Sequence, residues 1–431
     1  MKTLIHARIF DYHQYIEDGF IQFSDRIEAV GPMKDLPKKE DVEDVSGMLI
    51  MPGLIAGHTH IYSAFARGKA FPFNPKNFQE ILDQVWWKLD RKIELQTAYD
   101  SAIVFGIDHV KSGVTTLIDH HASQVVVGTL DRLRQALAED IGMRAVLCFE
   151  TSDRFNLSQA IEENLHHMDH HQGPMISGLF GMHASMSLSD LSLMKIADVL
   201  GNRPIHIHVA ESRMDQDDAK MKYQMSVIER LNHFDLIQPD SILVHGVHLS
   251  DKELDIIREK KAVIALNVSS NMNNGVGLPD YARMKARGIP VIIGNDGLQP
   301  AIAQEYQNLV FAMHHLKSDP CAFGLNDLQE IIEETYRYAQ RRLQVPLGRI
   351  EAGYMADFIV IPYEPPTPMQ LDNALGHVFY GLFHRFTPRD VYIQGRKIVD
   401  QYDVSDRLKH AYVNARAEAE RLWQRIEEEQ S

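Results

Sequence analysis

The chain has 431 residues, of which 45% are apolar and 24% are charged, and its formal net charge at pH 7 is −15. These values indicate a soluble globular enzyme with one large and one smaller domain. The negative charge argues against a general binder of nucleic-acid phosphates, because such proteins carry clustered lysine and arginine. It says little about a small substrate, because a pocket can differ in charge from the whole surface.

The two cysteines, Cys148 and Cys321, are too few and too far apart for a disulfide framework, which fits a reducing compartment. The apolar character of residues 1–14 breaks off too early for a signal peptide. No apolar run approaches the roughly 18 residues of a membrane span. We therefore expect a cytoplasmic protein without a membrane segment.

Residues 1–53 open the chain, and residues 345–403 near its other end have a similar pattern of apolar and turn-forming residues. Both regions contain short alternating apolar segments bounded by Gly and Pro, which predict strands. We expect the two ends of the chain to form one small composite β-sandwich domain.

Between them, residues 54–344 contain eight short apolar runs, each followed by a longer stretch with helical spacing. Such alternation is typical of a parallel sheet covered by helices. Eight units in about 250 residues predict an α/β fold of the (β/α)8 barrel type. An open doubly wound sheet is the alternative, but the first run has no G-x-G-x-x-G after it. The runs are LIAGHTH (54–60), TTLIDH (115–120), RAVLCF (144–149), SGLFGM (177–182), PIHIHV (204–209), SILVHG (241–246), AVIALN (262–267) and PVIIGN (290–295).

Residues 404–431 are predicted to form a C-terminal helix. Its apolar positions are spaced alternately four and three residues apart: Leu408, Tyr412, Ala415, Ala419, Leu422 and Ile426. This spacing gives one narrow apolar seam. We expect the helix to dock on its own barrel rather than on a coiled-coil partner, because the seam spans fewer than three heptads.

In a (β/α)8 barrel the chemistry lies at the carboxyl ends of the strands. His58 and His60 end the first run two residues apart, so in a strand their rings face the same side. A chain with 22 histidines has roughly one His-x-His by chance, so this motif alone is weak. The predicted fold gathers further polar residues at the same mouth: His183, His206, His208, Glu211, His245 and Asp296.

Three imidazoles and one carboxylate, those of His58, His60, His208 and Asp296, are a typical ligand set for zinc or another divalent transition metal. A catalytic zinc keeps one position open and lowers the pKa of a bound water to about 7. Glu211 follows His208 by three residues, so we expect it to lean over the pocket without binding the metal.

The other histidines are less informative. His206 faces the same way as His208 but one layer deeper, which favours support of a ligand over metal binding. His183 is either a pocket residue or a structural histidine. We expect His120 and His121 on loops or helices outside the site.

An aromatic stretch follows the first run: Tyr62, Phe65, Phe71, Phe73, Phe78, Trp86 and Trp87. It is either a lid that stacks on a flat heterocycle, with Trp86 as a substrate contact, or the apolar underside of a long loop or dimer contact.

The segments MPGLIAGHTH, SGVTTLID, HIHVAE, VHG, NVSSN, GNDG and GRIEAGYMADFIVI follow, in this order, the pattern of the amidohydrolase superfamily. The resemblance covers nearly the whole chain. It is strongest to the branch of methylthioadenosine/S-adenosylhomocysteine deaminases, guanine deaminases and triazine chlorohydrolases, and within it to the SsnA-type aminohydrolases.

The resemblance implies metal ligation by His58, His60 and His208, with Asp296 as a metal-associated carboxylate that also moves a proton. It implies that Glu211 carries a proton to a ring nitrogen of the substrate. It further implies that His245 orients or polarises the attacking water and that His183 lies in the substrate pocket. One metal ion is expected, because LFGMHAS after the fourth run has no lysine for a carboxylated bridge. Zinc is the first expectation, with Fe²⁺ and Mn²⁺ as alternatives.

The implied reaction is hydrolytic deamination of a purine-like or other nitrogen heterocycle, in which a metal-activated hydroxide attacks a ring carbon and ammonia is released. Opening of a cyclic amide or amidine and a chlorohydrolase reaction are alternatives at the same metal site. A non-enzymatic metal-binding protein is a further alternative, against which the retained Glu211 argues. A homodimer is also implied.

Two departures from that branch, and one residue that it shares, bear on the substrate. Its nucleoside deaminases carry Pro-x-Glu near the end of the aromatic stretch, and the Glu grips the ribose. The matching residues here are Trp87-Lys88-Leu89, and Leu89 cannot accept a hydrogen bond, which favours a free base. GNDG replaces GTDG beside Asp296. Arg67 of AFARGK is kept, as a contact to an anion or carbonyl of the substrate.

Overall fold

Eight parallel strands form the barrel in the computed structural model, which describes residues 1–37 and 41–428. Their side chains are buried almost throughout, because the strands pack on one face against the barrel interior and on the other against helices. The strands are Leu54–Thr59, Val114–His121, Arg144–Phe149, Ile176–Gly178 continued by Phe180–Ala184, Ile205–Val209, Ile242–His245, Val263–Leu266 and Val291–Ile293.

The first and eighth barrel strands meet. Thr59 bridges Asp296 in parallel, and the Asn295 amide donates to the His58 carbonyl at 3.0 Å. This closes the sheet into a barrel, and it brings the ends of the two strands into contact. The predicted (β/α)8 fold is confirmed, with the fourth strand interrupted at Leu179.

Helices surround the barrel. Several begin where the sequence supplies a cap: Ser226 and Ser250 each accept from the backbone three residues on, and Glu229 and Glu253 return the bond. The helices after the barrel strands are Leu95–Lys111, Thr129–Arg134, Leu157–His170, Asp190–Leu200, Arg213–Tyr223, Val227–His233, Asp251–Lys260, Val268–Asn274, Tyr281–Lys285, Ile302–Lys317 and Leu325–Leu343, and Leu371–Gly381 follows them.

The two chain ends share a separate mixed sheet. Met48–Pro52 pairs with Lys2–Phe10 on one side and with Phe358–Pro362 on the other. The remaining strands are Tyr15–Phe23, Ile27–Pro32, Val42–Asp44, Asp390–Ile393 and Arg396–Val399. Its core includes Phe23, Phe358 and Tyr392, with the latter two rings stacked at 4.6 Å. The finer division of the chain at residues 53 and 345 stays a prediction.

Two connections hold this sheet on the barrel. Met48–Pro52 runs through Gly53 directly into the first barrel strand. Arg144, fully buried at the start of the third barrel strand, donates to both carboxylate oxygens of Asp357, at 2.5 and 2.9 Å. Such a pair is stabilising only as a complete pair, because either charge alone would be buried without compensation.

The C-terminal helix spans Asp406–Glu428, and residues 429–431 of the predicted helix lie outside the described part. Four of the six predicted seam residues are buried, and the helix packs on Leu95–Lys111. Trp423 donates its indole N–H to the Phe65 carbonyl at 2.7 Å. The helix therefore docks on its own barrel, beside the segment that follows the first barrel strand.

Among the described residues, every helix is too short or too polar to cross a lipid bilayer.

Candidate active site

Four side chains converge at the carboxyl ends of the first, fifth and eighth barrel strands. His60 Nε2 lies 3.1 Å from His208 Nε2 and 3.0 Å from Asp296 Oδ1. His58 Nε2 lies 3.5 Å from the same oxygen. The predicted ligand residues are thus within the separations expected around one ion. His245 also has a ligand atom within 4.8 Å of those of His58, His208 and Asp296.

Hydrogen bonds determine which ring nitrogens face this point. His60 Nδ1 donates to the His120 carbonyl at 2.6 Å, and His208 Nδ1 donates to the His183 carbonyl at 2.9 Å. Burial would lower the pKa of His60, but the Asp296 carboxylate outweighs it and raises that pKa. In the neutral form of either ring, Nε2 is therefore a lone-pair acceptor. Two lone pairs at 3.1 Å repel unless a cation lies between them, so these residues fit a divalent metal.

Burial keeps two of these rings uncharged. It lowers the pKa of His58 to about 4 and that of His208 well below its ordinary value. His58 Nε2 is also buried without a hydrogen-bond partner. A neutral imidazole with an unpartnered lone pair is the form that binds zinc and similar metals.

Asp296 is held by Ser270, whose hydroxyl donates to Oδ2 at 2.6 Å.

His206 supports His58 from below. Its Nε2 lies 2.8 Å from His58 Nδ1, and its Nδ1 lies 3.4 Å from the sulfur of Cys148. A second ring that fixes the orientation of a ligand in this way is common around protein-bound metals.

The expectation for His120 and His121 is wrong. Both end the second barrel strand and are fully buried. The His120 ring centroid lies 5.4 Å from that of His60 and 4.9 Å from that of His208. The run TTLIDHH carried this signal. Polar residues at the carboxyl end of a buried apolar strand indicate a position near the end of the barrel where the chemistry occurs.

Glu211 and His245 lie together beside the ligand cluster. His245 Nε2 is 3.5 Å from Glu211 Oε2, and Asn271 Nδ2 donates to His245 Nδ1 at 3.0 Å. Burial, followed by the negative charge of Asp296, raises the pKa of Glu211 well above its ordinary value. Burial lowers the pKa of His245 to about 3. This pair therefore combines a carboxyl whose protonated form is favoured with an imidazole that is neutral at neutral pH.

A pocket opens onto these groups. Trp86 and His183, the two residues predicted to contact the substrate here, both line this pocket. His183 Nδ1 is hydrogen-bonded to the Ser187 hydroxyl at 2.8 Å. Other members of the aromatic stretch at the pocket wall are Tyr62, Phe78 and Trp87. Phe73, in contrast, is exposed. Part of the stretch thus provides flat apolar surface for a ring, as the lid hypothesis requires.

Two expectations about substrate contacts need correction. Arg67 lies outside the pocket lining, because its guanidinium reaches away to pair with Asp108 at 2.9 Å. Leu89 is fully buried, and the next residue, Asp90, lines the pocket instead. Because the Leu89 side chain does not face the pocket, its inability to accept a hydrogen bond does not distinguish a free base from a nucleoside.

Glu150 and Arg154, which were not among the predicted site residues, also line the pocket beyond the end of the third barrel strand. Glu150 directly follows the apolar run RAVLCF, and that position was its only signal. Arg154 lies in a loop, whose path the strand pattern does not predict.

Curated relatives match along most of the chain. A 5-methylthioadenosine/S-adenosylhomocysteine deaminase of Thermococcus sibiricus is 28% identical over 382 residues, covering 85% of this chain and 84% of the relative. A 5′-deoxyadenosine deaminase of Methanocaldococcus jannaschii is 27% identical over 418 residues, covering 90% of this chain and 94% of the relative.

Solved structures share the fold. An adenosine deaminase from Xanthomonas campestris with bound zinc superposes with a TM-score of 0.83 at 20% identity, covering 99% of this chain and 98% of that one. Atrazine chlorohydrolase from Arthrobacter aurescens, complexed with zinc, gives 0.81 at 20% identity, covering 97% and 100%.

The model of the amidohydrolase family matches residues 49–398. This range takes in all eight barrel strands and the converging His and Asp residues. The family match and the deaminase relatives confirm the predicted class, a metal-dependent hydrolase that acts on carbon–nitrogen bonds other than peptide bonds. The chain belongs to the amidohydrolase family.

Proposed function

We propose that the protein is a hydrolytic deaminase that releases ammonia from an aminopurine, most readily as a nucleoside. The observation that carries this is the convergence of His60 Nε2 and His208 Nε2 beside Asp296, next to Glu211, whose pKa is raised well above its ordinary value. The names of the two relatives described above, both deaminases of adenosine-like nucleosides, support the choice of substrate class.

We propose His58, His60, His208 and Asp296 as the residues that hold one divalent metal, with zinc as its identity. Zinc is favoured by the mixed imidazole and carboxylate set and by the zinc in two solved neighbours. When bound, the metal supplies an activated water by lowering its pKa. The homodimer and the cytoplasmic location stay predictions.

Glu211 is the proton carrier in this proposal. Its raised pKa favours the protonated carboxyl, which donates its proton to the ring nitrogen next to the attacked carbon. Charge then does not accumulate on that nitrogen during the attack. The resulting carboxylate then takes the proton of the hydroxyl group added to the ring carbon and passes it to the amino group, so that a carbonyl forms as the carbon–nitrogen bond breaks and ammonia departs. Asn274 steadies the carboxyl through Nδ2, at 3.4 Å from Oε1.

His245 orients the reacting oxygen. Because Asn271 donates to Nδ1, the proton of the neutral ring is on Nε2, which faces Glu211. An N–H at that place donates to an oxygen anion that develops beside the cluster. His183 and the Trp86 and Trp87 rings would hold the heterocycle against this face.

The test is ammonia release by metal-loaded protein from amino-substituted purines, pterins, pyrimidines and adenosine derivatives. Glu211→Gln is the matched blank, because it keeps the shape and removes the proton. We expect release to fall by about 10²–10⁴-fold in this variant with its metal content unchanged. His208→Ala, in contrast, should lose the metal. Normal turnover by Glu211→Gln would contradict the role given to this residue.

Mass spectrometry of the same reactions separates the alternatives. Deamination exchanges an amino group for oxygen, whereas ring opening adds one water, and a chlorohydrolase releases chloride. Addition of water without ammonia would replace the deaminase proposal by a ring-opening hydrolase.

A further inference from the structure

Asp296 lies in an uncommon backbone conformation. Its φ of 53° is in the left-handed region, which a residue with a side chain keeps only where neighbouring contacts hold it. The Asp296 amide donates to the side-chain oxygen of Asn267 at 3.1 Å, and the Thr59 hydroxyl donates to the Asp296 carbonyl at 2.7 Å. Both contacts come from the ends of neighbouring barrel strands.

The side chain of Asn295, the residue before Asp296, adds a contact from outside the barrel. Its Nδ2 lies 3.1 Å from His109 Nε2, on the helix Leu95–Lys111, and it also donates to the Gln299 carbonyl. Gln299 belongs to the loop that joins the eighth barrel strand to the next helix. One amide therefore closes this loop on itself and ties it to a surrounding helix.

Two backbone carbonyls determine the direction of these hydrogen bonds. The Gln299 carbonyl can only accept, so the amide nitrogen of Asn295 faces it and keeps its second hydrogen for His109. The Phe105 carbonyl takes the proton of His109 Nδ1, at 2.8 Å. Burial lowers the pKa of His109 to about 4, so the ring is neutral and its Nε2 is an acceptor. The donor and the acceptor therefore match.

Neither partner reaches the substrate. Asn295 and His109 are fully buried, and both lie outside the pocket lining. In a low-dielectric interior their hydrogen bond is electrostatically stronger than it would be in water. Asn295 is also the position at which GNDG departs from GTDG. A threonine has a single O–H and could not donate to both partners.

We propose that Asn295 and His109 are positioning residues, whose contact holds the turn at Asp296 so that its carboxylate stays beside His58 and His60. This inference rests on the proposed function, in which Asp296 is a metal ligand, and adds two residues outside the pocket to it. Without the contact the loop relaxes, the carboxylate moves, and metal binding weakens.

The experiment compares matched variants of the full chain. Asn295→Leu removes the amide with little change in size, and His109→Leu removes the acceptor. His109→Gln restores an acceptor, because the side-chain oxygen of glutamine can take the place of Nε2. Gln340→Leu is the control, since Gln340 also donates its side-chain amide to a backbone carbonyl, that of Leu347, but lies outside the pocket lining.

Three readouts are needed besides ammonia release. Zinc affinity is measured by competition with a chromogenic chelator, the visible spectrum of the Co²⁺-loaded protein reports the coordination geometry, and denaturant unfolding gives the stability. We expect Asn295→Leu and His109→Leu to bind zinc about 10–100-fold more weakly, to shift the Co²⁺ bands and to lower kcat more than they raise KM. His109→Gln should return toward the wild type in these readouts, and Gln340→Leu should match it.

The double variant of Asn295→Leu and His109→Leu tests whether the two residues act together. We expect it to bind zinc no more weakly than Asn295→Leu alone, because both changes break the same hydrogen bond. Additive losses would mean that the two residues act separately and would overturn the proposal.

A contact that only stabilises the fold predicts a different result. His109→Leu would then lose stability but keep the zinc affinity and Co²⁺ spectrum of the wild type, which would overturn the proposal. A His109→Gln variant as impaired as His109→Leu would overturn it too. If Asn295→Leu does not fold, the two His109 variants decide alone.

The metal readouts separate this proposal from the proposed function, because they need no substrate. Absence of ammonia release by the wild type from every compound would refute the deaminase and leave the positioning role to be decided by zinc affinity and the Co²⁺ spectrum. A wild type that binds neither metal would overturn both proposals.

Discussion

At the residue scale, the metal cluster depends on hydrogen bonds made by the back of each ligand. His60 and His208 donate Nδ1 to backbone carbonyls, and His58 rests on His206. The ligand residues themselves could be predicted, because His-x-His at a strand end repeats at the first and fifth strands. Their supporting partners could not, since a backbone carbonyl leaves no mark in the sequence.

We predict that His206→Ala weakens metal binding by about 10–100-fold without abolishing it, because His58 loses the partner that orients its ring. Metal affinity is measured by competition with a chromogenic chelator. His167→Ala is the control, since His167 is equally buried but lies on the helix Leu157–His170. An unchanged affinity in His206→Ala would show that His58 is oriented without it.

The elements themselves followed from apolar spacing. The eight runs lie within a few residues of the observed barrel strands, because each is buried on both faces. The role of the aromatic stretch could not be predicted, because a lid that stacks on a ring and the buried underside of a loop both require aromatic residues. Only the packing shows that Trp86 and Trp87 face the pocket whereas Phe65 is buried. Arg154 was missed for the same reason, because loop paths depend on distant contacts.

The C-terminal helix gives a prediction at this scale. Leu422 is fully buried in the seam, so Leu422→Ala should destabilise the protein by about 2–5 kcal/mol through lost burial and a residual cavity. Val413 on the same helix is 51% exposed, and Val413→Ala should stay within about 0.5 kcal/mol. Melting temperatures of the two variants are compared. Similar melting temperatures for the two variants would mean that the helix does not unfold cooperatively with the rest of the protein.

At the scale of the whole molecule, the barrel and the mixed sheet depend on one another. Arg144 of the barrel is neutralised by Asp357, which directly precedes a sheet strand. Pattern alone assigned both chain ends to one β domain. It could not identify this pair, because its members are far apart in sequence and neither belongs to a motif.

Breaking that pair should be costly. Asp357→Asn leaves the Arg144 charge buried without an anion, and we predict a loss of about 3–5 kcal/mol of stability. Asp169→Asn, which removes the partner of Arg203 on the surface, should cost no more than about 1 kcal/mol. Denaturant unfolding measures both. Equal losses would show that the buried pair does not hold the sheet to the barrel.

Glu305 makes stability depend on pH. Burial raises its pKa to about 7, against weaker hydrogen bonding from Ser269. The folded state thus keeps a proton that the unfolded state releases near pH 4.5, so this contribution to stability is present below pH 4.5 and is lost as the pH rises to about 7. Glu305→Gln should therefore gain stability relative to the wild type, and this gain should grow by about 3 kcal/mol between pH 4.5 and 8.

Unfolding of both proteins at pH 5, 6, 7 and 8 measures this gain. Glu94→Gln, at an exposed glutamate, is the control. A constant difference between Glu305→Gln and the wild type across the range would contradict the assignment of the pH dependence to Glu305.

The sheet shared by the two chain ends also sets an order of events during synthesis. Met48–Pro52 leaves the ribosome early, yet its neighbour Phe358–Pro362 emerges only after the whole barrel sequence has been made. Until then, the edge of Met48–Pro52 that faces this neighbour has unpaired backbone amides and carbonyls. A nascent chain stalled before residue 358 should therefore need a chaperone at this edge, although its barrel strands are already complete.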